Sequence, residues 1–214
     1  MTKIKICGLK NQAIVETTVE AGADYLGFVF APSTRQVTAE IVREITATVP
    51  KNINKVGVFV SPTLKELQRT IEIAQLDFVQ IHGDIPTYQR KELAVPMIQA
   101  LNGQAVDLSQ QIMKSRAEHL LLDAPMKNHR YAGGNGQVFD WSNISGNLHQ
   151  QLQQKIFWIA GGLTNENVGE AIAYFNPYGV DVSSAVETDG VKDRQKIQAF
   201  IKAVKESKNV STTR

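Results

Sequence analysis

Short runs of β-branched and aromatic residues recur along the chain, each followed by a longer stretch with apolar positions at helical spacing. The runs are Ile4–Cys7, Tyr25–Phe30, Val56–Val60, Phe78–Ile81, Met97–Ala100, Leu120–Asp123, Phe157–Ala160 and Val180–Val182. Most are apolar on both faces, the pattern of parallel strands covered on both sides. The stretches between them predict helices. Asn11–Ala21 carries Ala13, Ile14, Thr17 and Ala21 as one stripe and stops at Gly22. Thr38–Val49 starts on a capping threonine and ends before Pro50, and Thr63–Ala74 follows Ser61-Pro62. Tyr88–Leu93, Asp107–Ser115 and Leu148–Gln154 are shorter or weakly patterned, whereas Thr164–Phe175 and Lys192–Lys205 are clearly amphipathic.

Eight strand–helix pairs in alternation imply a parallel sheet, and eight strands close a barrel with the helices outside. The expected fold is α/β, a single (β/α)₈ TIM barrel over residues 1–206, with a polar tail over 207–214. An open doubly wound sheet is the rival, but the first strand ends Cys7-Gly8-Leu9-Lys10 rather than in a Gly-rich dinucleotide turn.

Composition narrows the function classes. With 43% hydrophobic and 21% charged residues over 214, the chain reads as an ordinary soluble protein. A net charge of +2 without a Lys/Arg run predicts no nucleic-acid or membrane partner, yet allows an anionic small molecule. The single cysteine, Cys7, permits no internal disulfide. Together with an N-terminus that enters a strand pattern directly, this predicts a cytoplasmic protein. No clustered His and Cys ligands are present, so no metal or organic cofactor is expected. Oligomeric state is left open between monomer and homodimer.

In such a barrel the chemistry sits where the strands end. Reading those ends gives Cys7, Arg35 in the loop after the second strand, His82, Asp123, Gly161-Gly162, and Asp181 with Ser183-Ser184. Gly161-Gly162 after the seventh strand and Ser183-Ser184 after the eighth match the recurring phosphate cradle of the fold, where backbone N–H groups and hydroxyls meet an anion. Singly, each reads as a tight turn or a cap; paired at these strand ends they point to phosphate. Cys7 alone reads as a small buried hydrophobe, and only its place at the barrel mouth makes it a candidate base. A free thiol titrates at about 8.5, so its deprotonation needs local help, and Lys5 lies on the same side of the strand. Asp123 follows three leucines; a partly desolvated carboxyl there can keep its proton and act as an acid. An acid and a base across one mouth suit isomerisation without a cofactor. The segment Pro125–Asp140, with Gly133-Gly134-Asn135-Gly136, is long for a βα loop and is expected to be a lid.

Taken in order, Lys5-Ile6-Cys7-Gly8-Leu9, Gln80-Ile81-His82-Gly83, Leu122-Asp123, Gly133-Gly134-Asn135-Gly136 with Phe139-Asp140-Trp141, Ala160-Gly161-Gly162-Leu163, and Gly179-Val180-Asp181-Val182-Ser183-Ser184 resemble the phosphoribosylanthranilate isomerase family. The resemblance runs from about residue 3 to about residue 205. It implies an Amadori rearrangement of N-(5-phosphoribosyl)anthranilate, a small phosphorylated substrate, in tryptophan biosynthesis. It implies Cys7 as the base at C2′, Asp123 as the acid at the ring oxygen, and Arg35 facing the anthranilate carboxylate. His82 becomes substrate-proximal, and Asp181 either binds a sugar hydroxyl or supports the base.

Two positions depart from the pattern: Ala185 where glycine is usual, and Asn135 where threonine or serine is common. A positive φ at Ala185 would cost about 1 kcal/mol. Three other functions compete. The histidine-pathway sugar isomerase would show two aspartates and a half-barrel repeat. Indole-glycerol-phosphate synthase would need a lysine and glutamates that have no counterpart here. A phosphate-binding barrel without turnover would draw only on Ala185.

Overall fold

The computed structural model describes residues 1–87, 92–124, 141–144 and 146–207. Its strands are β1 (Lys3–Cys7), β2 (Tyr25–Val29), β3 (Asn54–Val60), β4 (Phe78–His82), β5 (Met97–Asn102), β6 (His119–Asp123), β7 (Ile156–Ile159) and β8 (Gly179–Val182). They form one closed barrel in chain order, and every adjacent pair is parallel. The seam is β8 against β1, with Lys5 opposite Asp181 and Ile6 opposite Val182. The open-sheet alternative is thereby excluded.

Seven α-helices lie among the described residues: α1 (Gln12–Ala21), α2 (Ala39–Ile45), α3 (Leu64–Ala74), α4 (Leu108–Lys114), α5 (Gly146–Gln153), α6 (Val168–Phe175) and α7 (Arg194–Glu206). Their ends follow the capping chemistry of the sequence. Asn11 and Thr38 accept from Ile14 N and Ile41 N, and Thr63 with Glu66 forms a reciprocal capping box. Gly22 closes α1 at φ 94°. The buried face of α1 centres on Ile14, Val15, Thr17 and Thr18 rather than on Ala13, because both threonine hydroxyls bond back to the preceding turn and can be buried. The helix expected over Tyr88–Leu93 falls largely on residues 88–91, outside the described residues, as do the glycine-rich segment 125–140 and the tail from 208. No helix among the described residues is long and apolar enough to cross a membrane.

Alternation along each strand divides the barrel into two packed zones. Outward residues such as Ile6, Leu26, Phe28, Ile81 and Leu122 pack with Leu67, Phe175 and Phe200 of the helices. The interior is mostly apolar at the N-terminal end of the strands, where Tyr25, Val56, Ile98, Leu121 and Trp158 form a floor with His119 buried beside them. Trp158 fills this floor by lying over Gly179: a Cβ there would sit 2.3 Å from the indole. Its Nε1 donates to His119 Nδ1 at 3.0 Å, so the buried N–H is satisfied. Burial of the indole contributes about 2–3 kcal/mol. The floor is shut. The polar interior residues therefore gather at the opposite end, toward the C-terminal mouth.

Candidate active site

One cavity at the mouth is lined by all nine residues read from the strand ends: Cys7, Arg35, His82, Asp123, Gly161, Gly162, Asp181, Ser183 and Ser184. Their convergence follows from register and alternation. Cys7 ends β1, His82 ends β4 and Asp123 ends β6, each on the inward side.

Cys7 sits in space that a glycine leaves open. It pairs in register with Gly27, and a Cβ on Gly27 would lie 2.8 Å from Cys7 Sγ. Burial pushes the thiol up; Lys5 and then Lys192 pull it down, Asp181 opposes them, and the net direction is upward. Lys5 is wholly buried, and its Nζ donates to Asp181 Oδ2 at 2.9 Å. Burial weakens that ammonium, but Asp181 and Cys7 outweigh the effect and hold it above the usual lysine range. Burial likewise pushes the Asp181 carboxyl up, against the pull of Lys5. The two tendencies conflict, and the close ion pair decides in favour of charged partners. Among the described residues, Asp181 Oδ1 has no hydrogen-bond partner.

Asp123 is pushed up to about 7, chiefly by burial and next by the Asp181 charge, while the Ala124 N–H and Lys5 act in the other direction. Its Oδ1 accepts from Ala124 N at 2.8 Å. Near neutral pH the carboxyl is thus divided between acid and carboxylate. His82 is lowered to about 4 by burial and by Lys5, and its Nε2 lies 2.8 Å from Gln80 Nε2. It is a neutral imidazole at physiological pH, able to bond but not to carry charge.

Gly161 and Gly162 follow β7 at φ 75° and 70°, two successive left-handed residues that only glycine adopts freely. Asn167 ties this loop, donating from Nδ2 to Gly162 O and accepting from Thr164 N. Among the described residues no backbone hydrogen bond uses the Gly161 or Gly162 N–H. The Ser183 hydroxyl does not follow the simple expectation of a free donor: it donates to the Cys7 carbonyl at 3.2 Å. Ala185 lies in the 3₁₀ turn Ser184–Val186 and is not at positive φ, so the anticipated cost does not arise.

Arg35 is already engaged. Nε and Nη2 bond Glu187 Oε1 and Oε2 at 2.7 and 2.6 Å, a fork that uses two of the five guanidinium donors. Glu187 also accepts from Lys192 Nζ at 2.6 Å, and Lys192 donates further to Ser183 O at 2.7 Å. Burial works against the Glu187 charge, but Arg35 and Lys192 hold it below the usual range.

Sequence reasoning missed Glu187 and Lys192. It placed Lys192 on the last helix, whereas α7 starts at Arg194 after the Asp193 cap. Lys192 instead belongs to a two-residue strand, β10 (Val191–Lys192), paired with β9 (Glu187–Thr188) around Asp189-Gly190. The Asp-Gly pair and the following Asp193 were the available signals. Helix α6 similarly begins at Val168 rather than Thr164, because Thr164 and Asn167 bond one another in the loop.

Comparison with known proteins settles the family. The family model for N-(5′phosphoribosyl)anthranilate (PRA) isomerase matches residues 4–203. The chain belongs to the N-(5′-phosphoribosyl)anthranilate isomerase family. An isomerase of this family from Streptococcus gordonii is 50% identical over 208 residues, covering 96% of this chain and 99% of that one. The phosphoribosyl anthranilate isomerase of Thermotoga maritima has a TM-score of 0.85 at 34% identity, over 96% of this chain and all of the other. Another solved isomerase, in complex with reduced 1-(o-carboxyphenylamino)-1-deoxyribulose 5-phosphate, has a TM-score of 0.82 at 33% identity with the same coverage. As a phosphoribosylanthranilate isomerase family member, the chain is an enzyme of aldose–ketose isomerisation.

Proposed function

We propose that the chain rearranges N-(5-phosphoribosyl)anthranilate to 1-(2-carboxyphenylamino)-1-deoxyribulose 5-phosphate in tryptophan biosynthesis, with Asp123 as acid and Cys7 as base. The observation that carries this reading is that both side chains line one cavity, beside the Gly161 and Gly162 N–H groups, which no backbone hydrogen bond uses among the described residues. The substrate phosphate binds at those N–H groups and at Ser183-Ser184, which orients the sugar toward the thiol and the carboxyl. Asp123 gives its proton to the ring oxygen as the C1′–O bond breaks, leaving a protonated Schiff base. The Cys7 thiolate then takes the C2′ proton. The C–H electron pair forms the C1′–C2′ double bond and neutralises the nitrogen, and the enol becomes the ketone as C1′ regains a proton.

Arg35 meets the anthranilate carboxylate with the donors that Glu187 does not use. Asp181 offers Oδ1 to a sugar hydroxyl, and His82 borders the substrate as a neutral group. The protein works in the cytoplasm, as a monomer or homodimer, without metal or organic cofactor.

The test is loss of substrate fluorescence with purified protein, repeated for Cys7→Ala and Asp123→Asn. Each variant is expected to lose about 10²–10⁴-fold in turnover. Variants as fast as the parent would remove both residues from the mechanism. Turnover only on the corresponding histidine-pathway intermediate would reassign the substrate.

A further inference from the structure

Lys5 is the least expected residue in the barrel interior. Its side chain has 0% exposure and sits two residues before Cys7 on the same strand face. An ammonium so placed is costly unless its donors are satisfied. It has three N–H groups; one goes to Asp181 Oδ2, and the Cys7 sulfur, on the same inward face of β1, is close enough for their charges to interact.

The surroundings of the sulfur are unbalanced in charge. Lys5 from β1, Lys192 from β10 and Arg35 from the loop after β2 are cations that interact with Cys7. Asp181 of β8 and Glu187 of β9 are the anions interleaved with them. His82 is neutral, and Asp123 is the protonated partner when it acts as an acid. Three cations against two anions leave one positive charge. With Asp123 protonated, a thiolate at Cys7 would cancel it.

Lys192 and Arg35 spend their short bonds on Glu187 and the Ser183 carbonyl. Lys5 is the cation that is wholly buried and shares the inward face of β1 with the sulfur. We propose that Lys5 is a positioning residue for the isomerisation, its buried ammonium serving as the counter-ion that stabilises the reactive thiolate of Cys7 when it forms. This rests on Cys7 being the base. Asp181 keeps Lys5 charged and aimed, and at the same time opposes the thiolate. A sugar hydroxyl on the free Asp181 Oδ1 draws its charge away from the sulfur, so substrate binding itself favours the thiolate.

The test uses the single cysteine, because the rate of alkylation by iodoacetamide against pH reports Cys7 and nothing else. Lys5→Met is expected to move the alkylation midpoint upward by about one pH unit or more, which is about tenfold less thiolate at a fixed pH below it. Asp181→Asn is expected to move it downward. In turnover, Lys5→Met is expected to lower kcat about tenfold or more with KM little changed, in line with the thiolate fraction. Lys5→Met leaves a buried carboxylate unpaired and so destabilises the fold; the double variant Lys5→Met/Asp181→Asn removes both charges and is compared with Asp181→Asn alone. A midpoint higher in the double variant supports the proposal. Coincident midpoints overturn it and reduce Lys5 to a structural partner of Asp181. A shifted midpoint with undiminished turnover supports the charge pairing and overturns the assignment of Cys7 as the base, so the two failures read differently.

Discussion

Cys7 and Gly27 face each other on neighbouring strands, and the thiol occupies the volume that any side chain at Gly27 would claim. A glycine inside β2 weakens the strand, so its presence here reflects close approach rather than strand formation. Gly27→Ala sets a methyl 2.8 Å from Sγ, and the sulfur must move. The expected result is a stable barrel, destabilised by about 1–3 kcal/mol, with turnover reduced about tenfold or more. Thermal melts and steady-state kinetics on one preparation check both halves.

The protonation states run opposite to what the chemistry needs. The proposed acid, Asp123, is pushed up to about 7, and the proposed base, Cys7, is pushed above the ordinary thiol range. The productive form, with Asp123 protonated and Cys7 ionised, is a minor microstate. Its population rises about tenfold per pH unit below about 7, is level between the two values and falls above the thiol's. A kcat/KM profile should therefore climb to a shoulder near about 7 and stay high into the alkaline range. Activity already at its maximum at about pH 5 and falling through 7 would contradict this assignment.

Asp123 also carries a cost to the fold. Its carboxyl titrates higher in the native state than in the unfolded chain, so the folded protein binds the extra proton. Stability is then lost as pH rises from the ordinary carboxylate range through about 7, on the order of 2–4 kcal/mol in all. Asp123→Asn keeps an acceptor for the Ala124 N–H and removes the charge. Melting curves should show the variant more stable than the parent at about pH 8 and nearly equal to it at about pH 4. A uniform change at both pH values would mean that the carboxyl is not desolvated as described.

Glu187 holds Arg35 in a fork and anchors Lys192 beneath Ser183. Glu187→Gln keeps the shape but weakens both charge-assisted contacts. If Arg35 binds the substrate carboxylate as proposed, KM is expected to rise about tenfold with a smaller change in kcat, since the guanidinium is no longer held in place. Competition by free anthranilate should weaken in parallel, whereas competition by inorganic phosphate should not.

The barrel and most of its mouth were legible in the sequence because both depend on local pattern. Runs such as Leu120–Asp123 are apolar on both faces, and the polar residue that breaks each run marks where the strand leaves the covered interior. Lys5 could be assigned to the inward face by counting in twos from Cys7, but its pairing with Asp181 depends on β8 closing against β1. That contact spans the length of the chain. Lys192 was lost for another reason: an isolated two-residue strand has no periodicity, and the amphipathic pattern of α7 extends back over it. Glu187 went with it, since the value of that carboxylate lies in meeting Arg35 from a distant loop. Charge networks assembled from separate loops leave little trace in any single segment.

The most direct measurement is a crystal structure of this protein with reduced 1-(2-carboxyphenylamino)-1-deoxyribulose 5-phosphate bound. The account requires Cys7 Sγ within about 3.5 Å of C2′, the Asp123 carboxyl at the former ring oxygen, and the phosphate on the Gly161 and Gly162 N–H groups. A ligand whose C2′ lies out of reach of the sulfur, or whose phosphate sits elsewhere, would contradict it.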